Sequence, residues 1–189
     1  KELRQYLFSL EQAEKRNHIK LGKQLRLFTL EPESPGSVFF LPRGAIIYNE
    51  LVYFMRDEYK KRNYQEIKTP IIYNNSLWMT SGHWEHYRSD MFLTKVENQD
   101  YALKPMNCPP CMLVYKNELH SYKELPLRYA DFGILHRNEL SGVLNGLFRL
   151  RYFVQDAAHI FLEEDQIEDE IKNLIDFIEY IYKKVFNFE

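Results

Sequence analysis

The chain has 189 residues, 45% of them apolar and 15% aromatic, with only 7 glycines and 8 prolines. That composition supports one core-forming domain, alone or with a short extension, and excludes a disordered chain. The net charge of −2 leaves no global basic footprint for nucleic acid, so any such contact needs a local patch. Two cysteines are too few for a disulfide scaffold and favour a reducing compartment. No apolar run approaches the roughly 18 residues of a membrane span, and no signal-peptide pattern opens the chain. A cytoplasmic protein is expected, an organelle being the other compartment that fits. The first residue is Lys1 and not Met, so the chain reads as a piece of a longer protein.

From Glu2 to Gln24, leucines recur among Glu, Lys and Arg, and the spacing predicts a charged helix. Its basic residues Lys15, Arg16, His18, Lys20 and Lys23 read as a solvated face. EPESPGS (Glu31–Ser37) is a loop. A second helix is expected from about Ala45 to Arg62, with Ile47, Leu51, Phe54, Met55 and Tyr59 as its apolar stripe. Tyr64–Tyr73 reads as a strand interrupted at Pro70, which has no N–H to give a ladder. Asn74 begins a short capped helix, and MFLTKV and DYALKP form a hairpin about ENQ.

KPMNCPPCMLVY (Lys104–Tyr115) opens a helix expected to run to about Tyr122, and holds both cysteines. Spacing alone leaves Cys108 and Cys111 open as a disulfide, a redox pair, a metal site or two small buried hydrophobes. Leu127–Glu139 and Leu147–Leu162 alternate like strands about a glycine-containing loop. The last helix, Glu163 to about Phe186, carries the stripe Ile167, Ile171, Leu174, Ile178 and Ile181 behind an acidic start. Helices and antiparallel-looking hairpins segregate, with no βαβ rhythm. The expected class is α+β.

Arg137 and Glu139, two apart on an expected strand, should share a face; Arg149, Arg151 and Phe153 follow. Arginines converging beside an aromatic can hold phosphates while the ring stacks on a base. Exposed cross-strand ion pairs account for the same residues equally well.

Ordered motifs now matter more than any one of these. KPMNCP, SGHW with a following MF, LPLR, HRNE-SG, RLR-F-QD and AHIF together resemble the catalytic domain of the threonyl-tRNA synthetases, class II aminoacyl-tRNA synthetases. The resemblance runs through nearly the whole chain. It implies a linker helix over residues 1–30 and a partial class II catalytic domain over 31–189, an antiparallel sheet flanked by helices and truncated at its C-terminal end. The first two class II motifs would be present and the third absent. Tyr48–Pro70 would be the first, which makes such proteins homodimers.

By resemblance, Arg137 would hold the ATP α-phosphate and the amino-acid carboxylate, Glu139 the adenine amino group and Arg149 the terminal phosphates. Phe153 would stack on adenine, with Mg2+ accompanying ATP. Gln155 would lie near the amino acid and the transfer site, and His83 would assist transfer to the tRNA ribose. Met106, Cys108, Gln155 and Ala157 would line the amino-acid subsite. Cys108 and His159 would be zinc ligands, with a third histidine outside this chain. The implied activity is ATP-dependent activation of L-threonine and its transfer to tRNA(Thr).

A zinc ion suits that task. Threonine and valine are near-isosteric, and an apolar pocket separates isosteres by only about 10²-fold, whereas a Lewis acid with an open position can ligate the hydroxyl. Serine keeps the hydroxyl; the family uses a separate editing domain against it, and these residues include none.

Three departures stand out, the third being length: the residues end at Glu189, before the last class II motif, the third zinc ligand and the anticodon-binding domain, so this polypeptide is not expected to be a competent synthetase by itself. The family's Cys-Pro-Gly-His is Cys-Pro-Pro-Cys here, placing Pro110 and Cys111 where Gly and His are usual. Asp156-Ala157 replaces a pair of acidic residues, so the carboxylate expected to accept from the threonine hydroxyl is missing unless water or Asp156 substitutes. Tyr152 also stands where a small residue is usual, close to Phe153. Two rivals stay open: a catalytically impaired synthetase-like protein with a binding, editing-support or regulatory role, and a thiol redox module.

Overall fold

The computed structural model describes residues 2–188. The single helix expected over Glu2–Gln24 is two, α1 (Glu2–Lys15) and α2 (His18–Gln24). Asn17 makes the break: its Oδ1 accepts from the Ile19 and Lys20 N–H groups at 3.0 and 3.1 Å, a cap that starts a new helix. Strands β1 (Phe28–Thr29) and β2 (Phe39–Phe40) then pair antiparallel across the Glu31–Ser37 loop.

Helix α3 (Pro42–Lys61) begins three residues before the expected Ala45, because Pro42 occupies its first turn, where a missing N–H costs nothing. Its stripe is buried only toward the C-terminal half: Tyr59 is buried and Phe54 and Met55 half-buried, whereas Ile47 and Leu51 are exposed. Pro70 divides the next segment into β3 (Gln65–Glu66) and β4 (Ile72–Asn74), which join different sheets. Short helices α4 (Asn75–Thr80) and α5 (His83–His86) follow.

Strands β5 (Leu93–Val96) and β6 (Gln99–Leu103) form the expected hairpin. Its two turn residues, Glu97 and Asn98, both have positive φ, the conformation that matches the twist of a tight hairpin. Helix α6 (Cys108–Lys116) stops short of the expected Tyr122. The long pair β7 (Leu127–His136) and β8 (Tyr152–Phe161) is antiparallel over ten residues each, and α7 (Ile167–Glu179) runs on into a π-helical turn, Tyr180–Val185.

The sheets are β3-β7-β8 and β4-β6-β5, beside the β1-β2 pair. All pairings are antiparallel except β3 with β7, which is parallel. Lys104 joins the two larger sheets through its backbone: its N–H donates to the Ile71 carbonyl and its carbonyl accepts from the His136 N–H, at 2.7 and 2.9 Å.

The core has two parts. Tyr59, Ala130, Phe177 and Ile181 pack α3 and α7 on one face of β7. Trp78, Met91 and Ala102 gather α4 and the β5-β6 hairpin. The stripe expected on α7 is corrected here. Of its five residues only Ile181 is buried; Ile167, Ile171, Leu174 and Ile178 are exposed, and the helix buries Glu170 and Phe177 instead. Arg128 of β7 draws that side inward: it makes a two-pronged ion pair with Glu170, at 2.7 Å through Nε, beneath the Arg62 guanidinium that covers Phe177.

Candidate active site

Opposed residues of an antiparallel pair share a face, so the β7–β8 register sorts the expected site residues directly. Phe153, Gln155, Ala157, His159 and Phe161 stand opposite Leu135, Gly133, Asp131, Tyr129 and Leu127, on one face. Tyr152, Val154, Asp156 and Ala158 lie on the other, toward α3 and α7.

Helix α6 lies across the first face. Asn107, at its start, rests on Gly133, where a Cβ would come within 1.9 Å of Asn107 Oδ1; only glycine permits that approach. At its far end the Tyr115 ring stacks on Phe161 at 3.9 Å. Cys108 and Cys111 therefore lie above the part of the sheet that carries Asp131, Ala157 and His159. Cys108 is exposed and Cys111 buried, both as free thiols.

Arg137 and Glu139 lie just past the end of β7 and not on a strand. Arg137 is held twice: Nε donates to the Pro105 carbonyl at 3.2 Å, and the guanidinium lies 5.2 Å from the Phe153 ring centre. Glu139 accepts from Arg149 Nε at 2.8 Å, while Arg151 Nε donates to the Glu139 carbonyl. These residues form one patch. Met106, two residues before Cys108, lies 3.0 Å from His83 Nε2, and Ser81 Oγ lies 2.9 Å from His83 Nδ1. The patch thus continues through Pro105 and Met106 to α5.

His159 is half-buried, and burial lowers its imidazole pKa, with Asp131 opposing. That keeps it neutral, as a metal ligand must be. Burial, reinforced by Asp131 and Cys108, pushes the Cys111 thiol up to about 11. Among the described residues no three His, Cys, Asp or Glu side chains come close enough to hold a metal ion. Cys108 and His159 supply two donors of the chemistry zinc prefers, and among the described residues no further thiol, imidazole or carboxylate completes a set.

Asp156 cannot stand in for the carboxylate missing at position 157. It lies on the other face, at an apolar groove lined by Leu174, Ile178 and Tyr182, and Tyr59 donates a hydrogen bond to it. Desolvation there raises both groups' pKa values. The residue across from Ala157 is Asp131, 4% exposed.

Asp131 belongs to a network that strand and motif reading did not find. Thr69 Oγ1 donates to Asp131 Oδ2 and accepts from Lys104 Nζ, both at 2.7 Å, and Lys104 itself is wholly buried. Desolvation lowers the Lys104 pKa against the pull of Asp131. The available signal was a lone carboxylate in the otherwise apolar run YADFG. His18, expected on a solvated face, instead accepts from the Leu147 N–H at 3.0 Å and packs edge-on against Phe148, tying α2 to the β7–β8 loop.

An antiparallel strand pair with an arginine clamped over an aromatic at its open end, flanked by helices, defines an α+β core. Residues 92–189 match the family model described as tRNA synthetase class II core domain (G, H, P, S and T), and the chain belongs to that family. Within it the likeness is to the threonyl enzymes. The chain is 55% identical over 187 residues to the threonine–tRNA ligase of Caldanaerobacter subterraneus subsp. tengcongensis, covering 99% of this chain and 29% of that protein. A solved structure described as the RNA binding domain of threonyl-tRNA synthetase from Cryptosporidium parvum Iowa II superposes with a TM-score of 0.88 at 49% identity, over 89% of this chain and 42% of that one. Prolyl-tRNA synthetase of Giardia lamblia, solved with prolyl-adenylate, shares the fold alone: TM-score 0.80 at 19% identity, over 92% of this chain and 36% of that one. The chain thus spans less than a third of the threonine–tRNA ligase it matches.

Proposed function

We propose that the chain is part of the adenylate-forming core of a threonine–tRNA ligase, which activates L-threonine with ATP and transfers it to tRNA(Thr). The observation that carries this reading is the Arg137 guanidinium, held by the Pro105 carbonyl and the Phe153 face beside the Glu139–Arg149 pair. Residues 1–30 would be the linker into this core, and the α3 region a homodimer contact. Exposed Phe39, Phe40, Ile46, Ile47 and Leu51 support that second assignment.

In the first step a threonine carboxylate oxygen attacks the ATP α-phosphorus, and the bond to pyrophosphate breaks. Arg137 has one N–H committed to Pro105 and the others free to span carboxylate and α-phosphate, orienting both reactants and matching the charge that develops between them. Phe153 offers the adenine a ring face. Glu139 and Arg149 neutralise each other until nucleotide arrives; binding exchanges that pair for the adenine amino group and the terminal phosphates. Arg149 is more than half exposed, so the exchange is cheap. Mg2+ arriving with ATP would add positive charge at the phosphates. Gln155 and His83 flank the position from which the acyl group moves to the ribose.

Cys108 and His159 would hold a zinc ion, with a third ligand from outside the described residues. When bound, it would supply a Lewis acid for the threonine amine and hydroxyl. The neutral His159 and the exposed Cys108 thiol fit that duty.

The test is threonine-dependent ATP–pyrophosphate exchange by the full-length parent protein. Arg137→Lys keeps the charge and loses the planar fork, so exchange should fall about 10²–10³-fold. Exchange at the wild-type rate would overturn the reading. One observation, Ala157 with Asp156 turned away, favours a second reading: a synthetase-like protein that binds more than it catalyses.

A further inference from the structure

We propose that Cys108 and Cys111 are a reversible modification site, oxidised by a peroxide to a disulfide within the first turn of α6. The reading above uses Cys108 and leaves Cys111 without a task.

Three observations carry the proposal. Cys108 is the first residue of α6 and Cys111 the fourth, so they lie one turn apart on one side of the helix. Helix geometry sets their Cα atoms about 5 Å apart, within the range that disulfides span. Both intervening residues are prolines, whose fixed φ holds this turn and its spacing. Finally, the two thiols differ sharply in access. Cys108 is exposed and Cys111 is 1% exposed, so a small oxidant meets only the first, and the second is reached only from within.

The Cys108 thiolate attacks one peroxide oxygen, and the O–O bond breaks; hydroxide leaves and takes up a proton. Cys108 is then a sulfenic acid. Cys111 gives up its proton and attacks that sulfur, the S–O bond breaks, and a second water departs. Two electrons pass from the thiols to hydrogen peroxide, giving one disulfide and two waters. A dithiol reductant reverses the bond by exchange, starting at the accessible sulfur. Cys111 thereby shields Cys108 from irreversible oxidation, and the disulfide removes the thiolate that a metal ion would need. That last consequence rests on the zinc reading; the bond itself does not.

The experiment treats the full-length protein with dilute hydrogen peroxide and weighs the peptide that carries both cysteines. The expected product is lighter by two hydrogens, has lost both free thiols and recovers them with dithiothreitol. Cys111→Ser should give no lighter peptide, and its Cys108 should pass to the sulfinic acid that dithiothreitol cannot reduce. Cys108→Ser, altered at an exposed position, should leave Cys111 unmodified. A wild-type peptide that gains oxygen as fast as the Cys111→Ser peptide overturns the proposal. Zinc content is followed in parallel with a chromogenic chelator. A disulfide that forms in protein without zinc supports the proposal and counts against the metal assignment alone.

Discussion

Ala157 faces Asp131 across the β7–β8 ladder, and its neighbour Asp156 bonds to Tyr59 on the other side of the sheet. Period-two geometry thereby decides what composition left open: of the two consecutive positions, only 157 looks toward His159 and Cys108. On the proposed function, a threonine hydroxyl bound there would meet a methyl group in place of an acceptor. Ala157→Asp in the parent protein should therefore raise threonine-dependent exchange and widen the threonine-to-valine ratio by about tenfold or more. No gain in either quantity would sink the idea. Arg137, Glu139, Arg149 and Phe153, singled out in the sequence by residue type and spacing, do lie together: Arg137 over the Phe153 ring and Arg149 on Glu139. Lys104 and Asp131 were not legible, because a buried charge pair is recognisable only once its partners are known.

At the scale of elements, α7 shows where periodicity misleads. Isoleucines at 167, 171 and 178 form a regular stripe, yet the helix turns Glu170 and Phe177 to the core. Arg128 supplies Glu170 with a partner inside, and the Phe177 ring receives the Arg62 guanidinium at 4.1 Å. Hydrogen bonds from Arg128 depress the Glu170 pKa more than burial raises it. A depressed carboxylate stabilises the fold fully above its unfolded pKa of about 4.3, and that contribution is lost as pH falls through the folded value. Arg128→Ala strands a buried charge and should cost about 3–5 kcal/mol near neutral pH, read from denaturant unfolding. The gap between wild type and Glu170→Gln should narrow below about pH 4. A gap independent of pH would show that the pair contributes only packing.

Across the whole molecule, the two larger sheets meet at Lys104. Its backbone continues the ladder between β4 and β7, and its side chain reaches Thr69 and, at 3.6 Å, Asp131. Segments from three places in the chain converge on one dry ammonium group directly behind the Pro105–Cys108 stretch. Thr69→Val leaves Lys104 and Asp131 without their relay and should destabilise by about 1–3 kcal/mol. Lys104→Met should cost more, about 3–5 kcal/mol, by orphaning Asp131. Thermal unfolding of both variants checks the order; equal losses would mean that the hydroxyl, not the charge pair, joins the sheets.

Local signals sufficed for the β5-β6 hairpin, the Asn74 cap, the paired strands β7 and β8 and the α+β class. Each follows from turn chemistry or side-chain period within a dozen residues. The sheet that each side of Pro70 joins and the inward face of α7 were decided by tertiary structure, whereas the break at Asn17 is a local cap. In those two cases a distant group decided: β7 and β6 took the two halves of one segment, and Arg128 drew Glu170 inward. The amino-acid sequence by itself determined which side chains of reactive type are present and in what order, because such types are few and their spacing is particular. Which of them share a face, and what lies beneath Cys108, depended on strand register and burial, which arise only from long-range packing.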